Sequence, residues 1–333
     1  MNIFHMIRSN EWWYSKFPPL LAIGYATANM AGKPLYQLSF WLLFLLCALV
    51  AGAVYVSLIN DITDLEEDLA SGKPNRMEKI PARYRRLLPL ACILPGLGTM
   101  YVLYPDTLSC LLYLLPWISF SLYSLPPFRL KTRGVWGVIA DACGSHLFIS
   151  LLMVSSISYM AGQPIDWIWF SGTGMWAFCY GLRGILFHQF TDRNYDLSIG
   201  LTTYASKIEP VNFKRPARLI LMTELAALAC MLYRISSVLP LAAFAVYLLL
   251  LLIRTRRFGY QAVIILAPED RGIEIVMADY YQLFLPLSIL LTSVWSDYKN
   301  SLVLIVFILL FPAGIKRAAR DLLIFSGQLL LNR

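Results

Sequence analysis

Charge is scarce in this 333-residue chain: Asp, Glu, Lys and Arg make up 14%, against 58% hydrophobic residues and a mean hydropathy of +0.61. A soluble domain of that length would have too little polar surface to cover its exterior, which excludes an ordinary aqueous globule and points to lipid as the solvent. Histidine is rarer still, with three in all. The six cysteines, Cys47, Cys92, Cys110, Cys143, Cys179 and Cys230, lie inside apolar stretches without paired metal-ligand spacing, so packing is their expected role and no redox or zinc chemistry follows. Low-complexity segments and soluble-sized insertions are also missing, and residues 1–333 read as one polytopic membrane domain. The stretch Met1 to Pro19 has no apolar core leading to a small-residue cleavage site, so it does not read as a cleaved signal. Its Trp12, Trp13 and Tyr14 suit an interfacial aromatic belt.

What is present is a series of apolar stretches near the roughly 20-residue length that crosses a hydrocarbon core of ~30 Å. They fall at 17–32, 38–60, 86–104, 107–124, 134–160, 166–190, 216–235, 237–254, 279–296 and 300–316, the last being short. The expectation is an all-α integral membrane protein with nine or ten transmembrane helices. A net charge of +8 raises the question of nucleic acid, but a nucleic-acid binder gathers its cations on one soluble face. Here they sit in alternate loops, including Lys73, Arg76, Lys79, Arg83, Arg85, Arg86, Arg129, Lys131 and Arg133, while the other side keeps Lys33, Arg234 and Lys299. That asymmetry is the positive-inside pattern and predicts a cytoplasmic N-terminus, with the lipid bilayer as partner and no nucleic acid.

Against this apolar background two acidic clusters stand out. The second stretch runs into Asn60-Asp61-Ile62-Thr63-Asp64-Leu65-Glu66-Glu67-Asp68. If the helix continues, Asp61, Asp64 and Asp68 at i, i+3 and i+7 share one face. The sixth stretch ends in Asp192-Arg193-Asn194-Tyr195-Asp196, followed by Gly200 and Thr202, which brings a second carboxylate pair to the same side of the membrane. Carboxylates so close repel, and a divalent ion bridging them to phosphate oxygens would relieve that cost. Magnesium suits such an all-oxygen, partly hydrated site. One cluster alone would read as a solvated helix end; two, each leaving the membrane on the same side, argue for a shared role.

The patterns Asn60-Asp61-x-x-Asp64-x-x-x-Asp68 and Asp192-x-x-x-Asp196-x-x-x-Gly200 resemble the paired aspartate motifs of the UbiA superfamily of intramembrane prenyltransferases. Between them, Tyr123-Ser124-Leu125-Pro126-Pro127-Phe128-Arg129-Leu130-Lys131 with Gly134 is similar to a further signature of that superfamily. The resemblance covers about residues 8–300 and implies a helical bundle around a central cavity open to the membrane. It implies Mg2+-dependent ionisation of an isoprenyl diphosphate held by Asp61, Asp64, Asp68, Asp192 and Asp196, then transfer of the prenyl group to an acceptor, an aromatic or quinone-precursor type first among the candidates. The expected location is a bacterial inner membrane, with the aspartate loops cytoplasmic. Lys73-Pro74-Asn75-Arg76 resembles the family's Asn-Arg-Pro stretch but continues with Met77 instead of proline, which weakens transfer of acceptor specificity.

The residues themselves support the same roles. Asn60, Arg76, Arg129 and Lys131 offer donors to diphosphate oxygens, and Tyr123 offers a hydroxyl at the pocket mouth. Arg133 fits headgroup anchoring better. Within the spans, Asp141, His146, Arg183 and His188 are costly in hydrocarbon and face either a cavity or a partner; they are the acceptor-site candidates, with a buried structural hydrogen bond as the alternative for each. Glu224 reads as polar glue between helices. Trp167, Trp169, Phe170, Trp176, Phe178 and Tyr180 offer π faces that can shield a cation, although core and lipid-belt roles are the commoner use. Two competing functions remain: a membrane terpene cyclase, in which the cation is captured by the substrate's own double bonds, and a transporter using Asp141, His146 and Glu224 near the midplane.

Overall fold

The structure is a computed structural model and describes residues 9–198, 200–268 and 272–331; residues 1–8 of the N-terminal stretch considered above lie outside the described residues. Nine apolar rods build the bundle among the described residues. They are α1 (Ser9–Met30), α2 (Ser39–Ala70), α3 (Leu87–Leu103), α4 (Thr107–Ser124), α5 (Val135–Met160), α6 (Trp167–Thr191), α8 (Pro210–Ile235), α9 (Val238–Arg257) and α10 (Leu285–Ser296). The short α7 (Arg193–Ser198) follows α6, and α11 (Ser301–Leu310) and α12 (Pro312–Leu331) close the chain. Six helical segments among the described residues are long and apolar enough to cross a bilayer, and the α11–α12 pair adds a seventh if counted as one span. α1 and α6 miss that criterion for a physical reason: they are inner helices. Phe17 to Ile23 of α1 and Trp169 and Trp176 of α6 are buried in the main core, so protein, not lipid, is their solvent and polar residues are tolerated.

Three features depart from the sequence expectation. The stretch 300–316 is not one span: it breaks at Phe311, and α12 leaves α11 at 81°. Proline is at home in a first helical turn and cannot prolong the helix before it, which places the break at Pro312. The loop after α9 carries two parallel strands, β1 (Gln261–Val263) and β2 (Ile273–Ile275), and among the described residues this clip is the one departure from helices and their connections. Trp12 and Trp13 do not form a surface belt. Trp12 is buried, and Trp13 stacks on Phe311 at 5.4 Å and donates from Nε1 to the Leu310 carbonyl at 3.1 Å; Tyr14 alone of the three is exposed.

α5 and the segment before α10 each contain a π turn, at Cys143–Leu147 and Tyr280–Phe284. Such turns re-aim side chains within a helix. Here the first carries His146 and the second carries Tyr281, and both face α6: His146 stacks on Tyr180 at 5.0 Å, and Tyr281 meets Trp176 and Tyr180 edge-on at 5.1 and 5.0 Å.

Candidate active site

The helix condition set by the first cluster is met. α2 runs unbroken for 32 residues from Ser39 to Ala70, about 48 Å at the α-helical rise, well beyond a ~30 Å core. Its last turns therefore project past the hydrocarbon, with Asp61 buried and Asp64, Glu67 and Asp68 half-buried. The loop after α2 folds back over them. Asn75, itself buried, donates from Nδ2 to the Asp61 carbonyl at 2.9 Å and to Asp68 Oδ2 at 2.8 Å, while its Oδ1 accepts from Met77 N at 2.9 Å. Arg76 Nη1 approaches Asp61 Oδ2 at 3.4 Å.

The loop between α4 and α5 supplies the opposite wall. Ser124 donates to Asn60 Oδ1, which locks the end of α4 to α2. Arg129 then takes a left-handed backbone, φ 38°, a conformation that costs a non-glycine residue on the order of 1 kcal/mol or more and persists where surrounding contacts enforce it. From there Nη1 reaches Glu67 Oε1 at 2.7 Å and Nη2 lies 3.4 Å from Asp64 Oδ1. The Lys131 ammonium pairs with the same Asp64 oxygen; burial pulls it down to about 8. Gly137 makes this loop possible, since a Cβ there would stand 2.6 Å from the Leu130 carbonyl oxygen and 2.9 Å from Lys131 Cα.

The second cluster joins from α6 and α7. Asp192 is exposed at the end of α6 and its carbonyl accepts from Asp196 N at 2.9 Å. Asp196 is buried, with Thr203 Oγ1 donating to Oδ2 at 3.0 Å. Burial raises its carboxyl; the Thr203 bond and Lys73 pull it down, while Asp192 pushes it further up. Tyr195, between the two aspartates, donates to Ser71 just past α2, and Lys73 Nζ lies 5.3 Å from the centre of its ring. Thr202 Oγ1 reaches the Thr132 carbonyl at 3.4 Å. Tyr123 has Asp141 and Asp196 as its charged neighbours. Both clusters and the cationic loop thus meet at one end of the bundle, although among the described residues no three His, Cys, Asp or Glu side chains converge as a ready metal cage.

The acceptor candidates divide. Asp141 accepts from Ser145 Oγ at 3.2 Å and lies near Lys16 and His188. His146 Nδ1 lies 2.8 Å from the Ser145 carbonyl, and its ring lines a small recess with Lys16, Ser150, Trp176 and Tyr180. His188 is exposed, one turn before Asp192. Arg183 is elsewhere: Nη1 pairs with Glu224 Oε1 at 2.6 Å, and the other nitrogens donate to the Ile264 and Val276 carbonyls. Tyr281 OH donates to the same glutamate oxygen at 2.8 Å. Arg183 therefore binds the strand clip to α6 and α8, and Glu224 joins helices as expected of it. A cavity of about 930 Å³ opens at the other end of the bundle, between Asn29, Lys33, Arg234 and Asn300, away from both clusters.

Glu67, Asn75, Ser124 and Thr203 were not singled out by sequence pattern. Glu67, Ser124 and Asn75 each stood inside a stretch already quoted, beside the residues that were chosen; Thr203 carried no such signal.

A family model, the UbiA prenyltransferase family, matches residues 17–263, well over half of the chain. The chain belongs to the UbiA prenyltransferase family. Among solved structures it is similar to a UbiA homolog from Archaeoglobus fulgidus bound to GPP and Mg2+, at 15% identity and a TM-score of 0.54 over 94% of this chain and 99% of that one. The same homolog bound to DMAPP and Mg2+ aligns at 15% identity and a TM-score of 0.46, over 96% and 99% of the two chains. At 15% identity the likeness to the GPP-bound structure speaks to the fold alone. No curated protein matched.

Proposed function

We propose that this UbiA-family protein is a Mg2+-dependent intramembrane prenyltransferase: it ionises an isoprenyl diphosphate between its two aspartate clusters and passes the prenyl group to an acceptor. The observation that carries the reading is the convergence of Arg129 and Lys131 on Asp64, beside a second carboxylate pair. Cations and carboxylates held this way exchange partners readily: a diphosphate would take over the guanidinium and ammonium, freeing aspartate oxygens for a metal. The donor set fits magnesium, which is commonly held by one or two carboxylates together with substrate phosphates and not by an all-protein cage. Asp61, Asp64, Asp68, Asp192 and Asp196 would hold it, and its contribution is positive charge beside the leaving group. The GPP and Mg2+ carried by the archaeal homolog accord with this.

The residues of the chain do the rest. Arg129, Lys131 and Arg76 donate to diphosphate oxygens as negative charge builds on them, a contribution of up to several kcal/mol for a well-placed donor. Asn75 keeps Asp68 turned toward Asp61, and Asn60 is fixed by Ser124. Tyr123, near Asp141 and Asp196, would offer its hydroxyl to the diphosphate. The apolar walls below exclude water, which would otherwise capture the allylic cation. Asp141, His146 and His188 stay the acceptor-site candidates, His146 being stacked on Tyr180 and that ring on Trp176. Arg183, tied to Glu224, is not among them. The charge pattern of the loops supports a cytoplasmic aspartate end.

The test is incubation of the purified protein with Mg2+, a panel of isoprenyl diphosphates and a host extract, followed by mass spectrometry. A prenylated adduct identifies the acceptor; a hydrocarbon without adduct replaces transfer by cyclisation; no Mg2+-dependent consumption of any diphosphate rejects the proposal.

A further inference from the structure

The chain ends in a helix that the proposed chemistry does not use. α11 has ten residues, about 15 Å, half of a ~30 Å core. α12 turns away from it at 81° instead of completing a crossing.

Its depth follows from its contacts. Gly314 lies against the Leu283 side chain, and Asp321 Oδ2 accepts from Arg254 Nε at 2.8 Å. Arg254 stands in the last turn of α9, about 24 Å along the helix from Val238. α12 therefore lies near the membrane boundary at the aspartate end, across the direction of the bundle helices.

Its rotation is fixed as well. Arg254 is 1% exposed and is surrounded by Glu274 Oε1 at 3.0 Å, Asp279 and Asp321, while Arg317 of α12 reaches back to Glu274. A buried ionic assembly of this kind tolerates little displacement of any member, so Asp321 and Arg317 set which sides of α12 face outward. At 100° per residue, Lys316, Arg317 and Arg320 share one flank, with Lys316 and Arg320 exposed. Ile315, Ala319 and Leu322 share the other, and Leu322 is 41% exposed. Leu323 lies at the border between the flanks, and Ile324 lies among the cations; both are exposed.

We propose that α12 is an in-plane interfacial helix that binds the anionic surface of the leaflet at the aspartate end, with its Leu322 flank in the acyl region and Lys316 and Arg320 among headgroup phosphates. The occupant follows from charge and depth together: an apolar flank and a cationic flank on one helix at the hydrocarbon boundary match the two layers of an anionic leaflet. A peptide or protein partner would not require a helix pinned at that depth. This goes beyond the proposed transfer reaction and does not depend on it.

The full chain in nanodiscs provides the test, without reference to activity. Leu322→Cys and Arg320→Cys variants are treated with a membrane-impermeant maleimide, with modification read at each peptide by mass spectrometry so that the native cysteines do not interfere. Arg320→Cys should react at least roughly tenfold faster than Leu322→Cys, as the two flanks of an interfacial helix require. Equal rates, whether both fast or both slow, would overturn the in-plane setting. In parallel, adding phosphatidylglycerol to phosphatidylcholine nanodiscs should raise the unfolding midpoint of the unsubstituted chain, and Lys316→Glu with Arg320→Glu should abolish that rise. A rise that persists in the double variant would overturn recognition of the anionic leaflet.

Discussion

Two groups of charged side chains in this protein use the same chemistry to opposite ends. At the tip of α2, Arg129 meets Glu67 and Asp64 with side chains 26%, 39% and 30% exposed, and one of the two contacts is as long as 3.4 Å. About 14 Å up α6 from Asp192, Arg183 and Glu224 meet at 2.6 Å with side chains 2% and 0% exposed, and backbone carbonyls take the remaining guanidinium donors. The first group is wet enough to trade partners and the second is not. A buried pair that loses one member leaves an uncompensated charge, so Arg183 and Glu224 hold the fold, whereas Arg129, Glu67 and Asp64 are the exposed members of the group proposed to meet the ligand.

That contrast can be broken from either side. The largest effect is expected from Arg183→Met, which strands Glu224 in the core. Stability should fall by about 3–5 kcal/mol, seen as a lower unfolding midpoint and yield, and adding Glu224→Leu should recover much of the loss. Asp64→Asn should do the reverse: diphosphate release falls by roughly two to three orders of magnitude, of the size found when a charge-stabilising group is removed, while the unfolding midpoint stays near that of the parent. Arg129→Lys keeps the charge but loses the two-pronged reach to Glu67 and Asp64; an approximately tenfold drop in kcat/KM for the diphosphate is expected, with no change in stability. Asn75→Ala should have the smallest effect, about 1 kcal/mol of stability from the lost bonds to Asp61 and Asp68, read as a lower unfolding midpoint. If Arg183→Met proved stable and inactive, the division between the two groups would be wrong.

Much of the active end was legible in the sequence because it is local. Asp61, Asp64 and Asp68 repeat at helical spacing, and α2 continues through them; the Tyr123 to Lys131 stretch and the second aspartate pair are likewise contiguous. The partner of Arg183 was not legible, since Glu224 lies on another helix and an intramembrane arginine looks alike whether it faces a substrate or a salt bridge. Asn75 was passed over for its charged neighbour Arg76, although it is the amide that clasps two turns of α2. The final span failed for a different reason: hydropathy sums Leu302 to Phe311 with the residues after them and does not see that Pro312 starts a new helix direction. The strand clip at Gln261–Val263 and Ile273–Ile275 is three residues a side, too short for any alternation to register.

The central claim, that the half-exposed charged group does the chemistry and the buried one does not, is tested most directly by release of diphosphate from an isoprenyl diphosphate by the purified protein in nanodiscs, with and without Mg2+. Mg2+-dependent release by the parent chain, lost in Asp64→Asn and in Asp192→Asn but retained per folded molecule in the Arg183→Met, Glu224→Leu pair, is the predicted result. Full release by either aspartate variant would contradict it.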